Sequence, residues 1–293
     1  MKKNIPNIGF THAGTFHADD VLSTALLKIL NPNFKVIRGF DVPEDFNGIV
    51  YDIGFGEYDH HQTNNEIREN GVPYASFGKL WRDYGENILN KKECIHFDHA
   101  FIEHLDLSDN TGERDTLASV ISSFNPSWKE NNSENAFDDA VKFAVDVLNK
   151  QFDKYKINRE ANDVVKKAFN KSDKNIVILD RYCPWQVFLS NTKAKFVIYP
   201  SQRGGYGIEC VPYKNGKNLK IYFPESLRGK TKEELNKKID GLNFVHNSGF
   251  FAAADSIDAC IKLARYTEKE KKKENNISTD MGELIYNAMN IEK

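Results

Sequence analysis

At 293 residues and 40% hydrophobic, the chain is long enough for one large domain or two ordinary ones. A formal net charge of −2 excludes a global electrostatic drive toward nucleic acid or membrane surfaces. Four cysteines without a CxxC pair argue against zinc-finger or thioredoxin chemistry, and no apolar stretch approaches a membrane span or a signal peptide. A soluble protein of the reducing cytoplasm is expected.

In chain order, Ile8 to Thr11 reads as a short buried strand ending at His12. A loop then leads into an apolar-periodic helix, Val21 to Leu30, with Asp19 or Asp20 as its N-cap. Phe34 to Gly39 and Gly48 to Ile53 read as further strands of an α/β pattern. Ala75 to Tyr84 fits a helix closed by Gly85, and His96 to Leu107 another, with SDNTG as a loop after it. The charged stretch from Glu134 to Lys171 predicts one or two long helices bridging two domains. Strand patterns return at Asn175 to Leu179, Lys195 to Tyr199, Gly207 to Val211 and Leu219 to Phe223, in part as a meander. Ser256 to Tyr266 is amphipathic, and the tract from Glu268 to Asn276 is too charged to pack, a solvated helix end or loop.

Charge is uneven along the chain. Residues 41–115 carry 17 acidic against 6 basic side chains, whereas residues 181–240 carry 12 basic against 5 acidic. A cation-holding half and an anion-attracting half would explain this, and so would two solvated faces of opposite sign.

Of 8 histidines, four fall in two short carboxylate-rich segments, THAGTFHADD and YDHHQ. Imidazole beside carboxylate suits manganese, iron or magnesium. His12 and Asp52 sit at strand ends, where a fixed backbone leaves a side chain free at the carboxyl edge. His17 and Asp19, two apart, can converge on the same point. Adjacent His60 and His61 diverge on a loop, so one can ligate while the other reaches toward substrate. Taken singly, these residues are ordinary loop histidines, a helix cap (Asp20) and a turn former (Asp52). Together they predict a metal-dependent hydrolase.

Read in order, THAGTFHADD, VYDIG, YDHHQ and LSDN resemble the DHH phosphoesterase superfamily. With ASFGKLWRDYG, FNPSW, DRYCPW, FVIYPSQRGGYGIECVP, FPESLRGKTKEEL and FVHNSGFFAAA they resemble its MYG family from residue 8 to about 266. The resemblance implies an α/β fold: a DHH-type parallel-sheet catalytic domain over residues 1–132, a helical bridge over 133–172, and a smaller α/β substrate-binding domain over 173–293. It implies two divalent metals, manganese or else magnesium. His12 and His17 would ligate one and Asp19, His60 and Asp109 the other, with Asp52 bridging. Asp106 competes with Asp109 for the last position. His61 would touch a substrate phosphate or the leaving oxygen. Arg203, Gly204 and Gly205, and His246, Ser248 and Gly249, would contact substrate, although each set also reads as a plain turn. Tyr182 and Trp185 would either stack a base or pack in the core. Two departures stand out: Ala18-Asp19-Asp20 where Cys-Asp-Glu is frequent, and Thr63 where an arginine often follows DHHQ.

The implied activity is phosphodiester hydrolysis by a 3′-5′ exonuclease on RNA or short oligonucleotides, in a protein that could pair as a homodimer. Alternatives are hydrolysis of a small phosphorylated molecule (a cyclic dinucleotide, nanoRNA or pyrophosphate) and non-catalytic nucleotide binding. A peptide hydrolase fits less well, because no HExxH helix is present.

Overall fold

A computed structural model describes residues 4–129 and 133–289, with side chains described up to 274 and from 135 onward in the second stretch. The chain is a mixed α/β protein that divides into two compact units, Met1–Lys156 and Ile157–Lys293. The division falls inside one helix, whereas residue 132, the expected first boundary, lies outside the described residues.

In the first unit, β1 (Ile8–His12) lies between β2 (Lys35–Gly39) and β3 (Ile49–Val50), all parallel. Register runs Gly9 opposite Val36 on one side and Ile49 on the other. Strands buried this way need both faces covered, and helices supply the cover. Helix α1 (Ala18–Leu30) is buried along its whole length from Ala18 to Leu27. Helix α2 (Ser76–Tyr84) adds Phe77, Leu80 and Trp81 to the same core, and α6 (Ser133–Lys171) adds Phe137, Val141 and Leu148.

The structure departs from the sequence expectation at three places in this unit. Helix α1 begins at Ala18 with His17 as its N-cap, so Asp19 and Asp20 lie in its first turn; Asp20 Oδ1 accepts the His17 N–H at 2.8 Å, the N3 half of a capping box. The strand expected over Gly48 to Ile53 shortens to Ile49–Val50, because Asp52 turns into left-handed backbone at φ 57°. The segment expected as a loop after Leu107 is helical: α3 (Lys91–Phe97), a π turn (Asp98–Ile102) and α4 (Glu103–Thr111) run on until Gly112 takes φ 74° and ends the helix. Helix α5 (Thr116–Ser122) follows, capped by Asp115.

The second unit is a five-stranded sheet in the order β4-β5-β6-β8-β7, formed by Ile176–Ile178, Phe196–Pro200, Tyr206–Cys210, Phe251–Ala254 and Leu242–Val245. Strands β4 and β5 are parallel and the remaining pairs antiparallel. Period-2 alternation serves two cores. Phe196 and Ile198 face α9 (Ile257–Met289) through Cys260 and Leu263, while Val197 and Tyr199 join Trp185, Leu189 and Val165 of α6. The short helices α7 (Gln186–Leu189) and α8 (Lys232–Asn236) flank the sheet segments.

Leu219 to Phe223 is not a strand; it makes one bridge, Pro212 with Leu219. Its apolar alternation goes to burying Ile221 and Phe223 in the core beside α9. The sheet is completed instead by β7 and β8; β8 is mostly alanine and each strand has only four residues, so the pair carries little strand signal. The tract from Glu268 to Asn276 lies inside α9 rather than at its end.

Candidate metal centre

The carboxyl ends of β1 and β3 deliver His12 and Asp52 to one place, and the first turn of α1 adds Asp19 and Asp20. His60 and His61 come from the loop after the Tyr51–Tyr58 bridge, and Asp109 from the last turn of α4. Asp52 is at the centre. Its Oδ2 lies 3.3 Å from His12 Nε2 and its Oδ1 3.2 Å from His60 Nε2. Beyond His12, Asp20 Oδ2 is 3.5 Å away; beyond His60, Asp109 Oδ2 is 3.0 Å and Asp19 Oδ2 3.7 Å away. Three groups with metal-ligand spacing result: His12–Asp20–Asp52, Asp19–His60–Asp109 and Asp52–His60–His61. The first two meet at Asp52 and His60, one Asp52 oxygen facing each histidine.

The donor set fits hard or borderline cations, being all oxygen and imidazole. Ligands about 2.1 Å from a cation sit about 3 Å from one another in octahedral geometry, close to the separations found. His12 Nε2 and Asp20 Oδ2 are buried without a hydrogen-bond partner, so this half of the site is not satisfied within the chain itself. Both ring orientations are fixed from behind. His12 Nδ1 donates to Ala13 O at 3.1 Å and His60 Nδ1 to Asn110 Oδ1 at 3.3 Å, leaving each Nε2 to face the carboxylates.

Packing holds the carboxylates as well. Asp19 accepts the first-turn N–H groups of α2, Ser76 at 3.0 Å and Phe77 at 2.7 Å. Asp59 accepts from His61 Nδ1 at 2.7 Å and from Phe55 N at 2.7 Å. Asp52 itself occupies φ 57°, unusual for a residue with a side chain, which aims its carboxylate between the two histidines.

Electrostatics follow from this crowding. Burial raises Asp19 well above the usual carboxylate range, with repulsion from Asp52 and Asp109 adding to it. Burial likewise pushes Asp20 up to about 7. Burial opposes charge on Asp52 too, but His12 and His60 outweigh it and hold it down to about 2. Burial disfavours the imidazolium of His12 and His60. Contact with Asp52 and the charge of Asp20 nonetheless push His12 up to about 9, and Asp109 with Asp52 push His60 up to about 11.

His17 stands outside all three groups. Its ring packs 5.7 Å from that of His12, on the wall of a neighbouring cavity. Asp20, which reads in sequence only as a cap, stands inside one. The signal that could have revealed it is its adjacency to Asp19 on a buried first turn. Asp106 has another partner: it is buried against Arg68 Nη2 at 2.7 Å, and Arg68 also binds Asp98. His61 is 56% exposed and borders the same cavity of about 680 Å³ as His17, His60 and Asp109.

The candidate substrate residues of the second unit do not share one place. Arg203, Gly204 and Gly205 form the β5–β6 turn, beside Tyr206 and its partner Ala254. His246, Ser248 and Gly249 form the β7–β8 turn, beside the other end of β8. Several residues of strand, roughly 10 Å or more, separate them. Gly204 and Gly205 take φ of 89° and 64°, which the hairpin itself requires. Arg228, not singled out by the sequence, packs against Gly249, where an added Cβ would lie 2.5 Å from its Nε. Trp185 is a core residue at 1% exposure, whereas Tyr182 is exposed.

Fold and site together define a class: an α/β protein whose parallel strands bring histidines and aspartates into one pocket able to hold metal ions. The chain belongs to the family MYG1_exonuc, described as "Uncharacterised protein family (UPF0160)", whose model matches residues 8–267. It is 28% identical to the MYG1 exonuclease of Homo sapiens, across 89% of this chain and 85% of that protein. It is 27% identical to a MYG1 protein of Saccharomyces cerevisiae, across 87% and 94%. A MYG1 protein of Chlamydia muridarum is 28% identical, across 91% and 98%. No solved structure matches. Among the described residues, no helix is long and apolar enough to cross a membrane.

Proposed function

We propose that the chain is a metal-dependent phosphoesterase acting as a 3′-5′ exonuclease on RNA or short oligonucleotides. The observation carrying this reading is the split of Asp52, one oxygen toward His12 and the other toward His60, which suits a carboxylate that bridges two cations. His12, Asp20 and Asp52 would hold one ion, with His17 within reach of it, and Asp19, Asp52, His60 and Asp109 the other; manganese fits the donors, and magnesium is the alternative. When bound, such a pair supplies an acidified nucleophile and neutralises charge on a phosphoryl oxygen.

The protein's own groups orient and protonate. Asp59 fixes the His61 ring through Nδ1, leaving Nε2 for the leaving oxygen. In hydrolysis water adds to phosphorus, the bond to the 3′ oxygen breaks, and that oxygen takes the His61 proton. The exonuclease names of mammalian relatives support removal of nucleotides from an end. A cavity of about 680 Å³ beside His61 is of small-ligand size and also favours short substrates, so dinucleotides are the natural competitors to longer RNA.

The test is a single-stranded RNA labelled at its 5′ end and incubated with the manganese-loaded protein. A ladder shortening from the 3′ end, with mononucleotides released, is expected. Intact RNA in the presence of verified metal removes the proposal, and cleavage confined to dinucleotides redirects it to the small-substrate reading.

A further inference from the structure

The cavity beside the candidate metal centre contains a feature that metal binding does not use. His60, His61 and Asp109 form one side, and the segment between α4 and α5, with α5 itself, forms the other. Arg114 is the single lysine or arginine among the lining residues, and it forms no ion pair or hydrogen bond among the described residues. The carboxylates around it are mostly committed. Asp109 faces His60 at 3.0 Å, and Asp115 Oδ1 accepts the Ala118 N–H at 2.9 Å as the cap of α5. Glu113 remains. Ser108 and Ser122 also line the cavity, and neither hydroxyl is engaged among the described residues.

We propose that Arg114, with the hydroxyls of Ser108 and Ser122, forms a second phosphate subsite, which takes a phosphate next to the one at the metal centre. The inference rests on the phosphoesterase reading and deepens it. The preferred ligand is then a nucleotide chain or nucleotide carrying two phosphates, not an isolated phosphate ester. A guanidinium forks onto two phosphate oxygens, and hydroxyl donors complete a tripod around the third. Glu113, in the same wall, opposes the anion and sets a limit on affinity.

The test compares the wild-type chain with Arg114→Ala and Arg114→Lys, all loaded with manganese. The first measurement is the ratio of kcat/KM for a 5′-phosphorylated dinucleotide over its 5′-hydroxyl counterpart. The wild type should favour the phosphorylated form by about tenfold or more, Arg114→Ala should bring the ratio near one, and Arg114→Lys should restore it partly. A ratio near one in the wild type, or an unchanged ratio in Arg114→Ala, overturns the subsite. The second measurement needs no turnover: calorimetric affinity for a nucleoside 3′,5′-bisphosphate against a nucleoside 5′-monophosphate. If no substrate is hydrolysed but the bisphosphate preference is present and lost in Arg114→Ala, the subsite stands while the hydrolytic reading falls. No preference there, with hydrolysis intact, sinks the subsite alone.

Discussion

Manganese added to the metal-free chain at pH 7 should expel protons, and the site sets how many. His12, pushed up to about 9, is then protonated in roughly 99% of molecules, and His60, at about 11, in essentially all. Asp20, at about 7, holds about half a proton. Ligation requires neutral imidazole and ionised carboxylate, so filling both positions releases roughly 2.5 protons from these three groups, and Asp19, also raised, can only add to that number. Calorimetric titration in buffers of different ionisation enthalpy reads the number as the slope of observed enthalpy against buffer enthalpy. The slope should fall by up to about one proton in Asp52→Asn, where His12 loses the contact that raises it most while His60 keeps Asp109. Tight manganese binding with a slope near zero would refute the reasoning, because the histidines would then not be the groups the cation displaces.

Stability of the metal-free chain should depend on pH in a related way. His12 and His60 have folded values above the 6.5 of the unfolded chain, so their contribution is complete below pH 6.5 and is lost as pH rises through about 9 and 11. The urea midpoint measured with chelator present should therefore fall between pH 7 and 10, and saturating manganese should reverse that trend. Arg68→Met leaves Asp106 charged or protonated in a buried site without its partner, and should cost about 3–5 kcal/mol in urea unfolding; adding Asp106→Leu should recover part of it. Gly78→Ala would place a Cβ 1.9 Å from Asp106 Oδ2 and 2.8 Å from Arg68 Nη2, so a loss of about 1–3 kcal/mol is expected in thermal melts. Asn110→Ala frees His60 Nδ1 and should weaken manganese binding about 10–100-fold with little change in the fold, measured by competition with a chelating dye.

The first unit was legible where chemistry and periodicity agree. His12 and Asp52 were expected at strand ends and lie there, because buried apolar runs announce parallel strands plainly. Asp109 was expected in a loop, yet reaches His60 from a helix. Short polar residues favour loops locally, but packing of Leu105 and Ile102 into the core carries the helix through them. Asp20 was hidden by its double use, since one oxygen caps α1 and the other points at His12. In the second unit β7 and β8 were missed. β8 takes its strand character from pairing with β6, and β7 from pairing with β8, a long-range property that neither four-residue segment displays on its own. Arg228 was missed for a similar reason: its contact with the β7–β8 turn exists only after folding.

Anomalous diffraction at the manganese edge, on crystals of the wild-type chain and of Asp52→Asn grown with manganese, tests the central claim most directly. Two peaks should flank Asp52, one beside His12 and Asp20 and the other beside His60, Asp19 and Asp109, with at least one lost in the variant. A wild-type map without signal between those side chains, or with manganese bound only elsewhere, would contradict it.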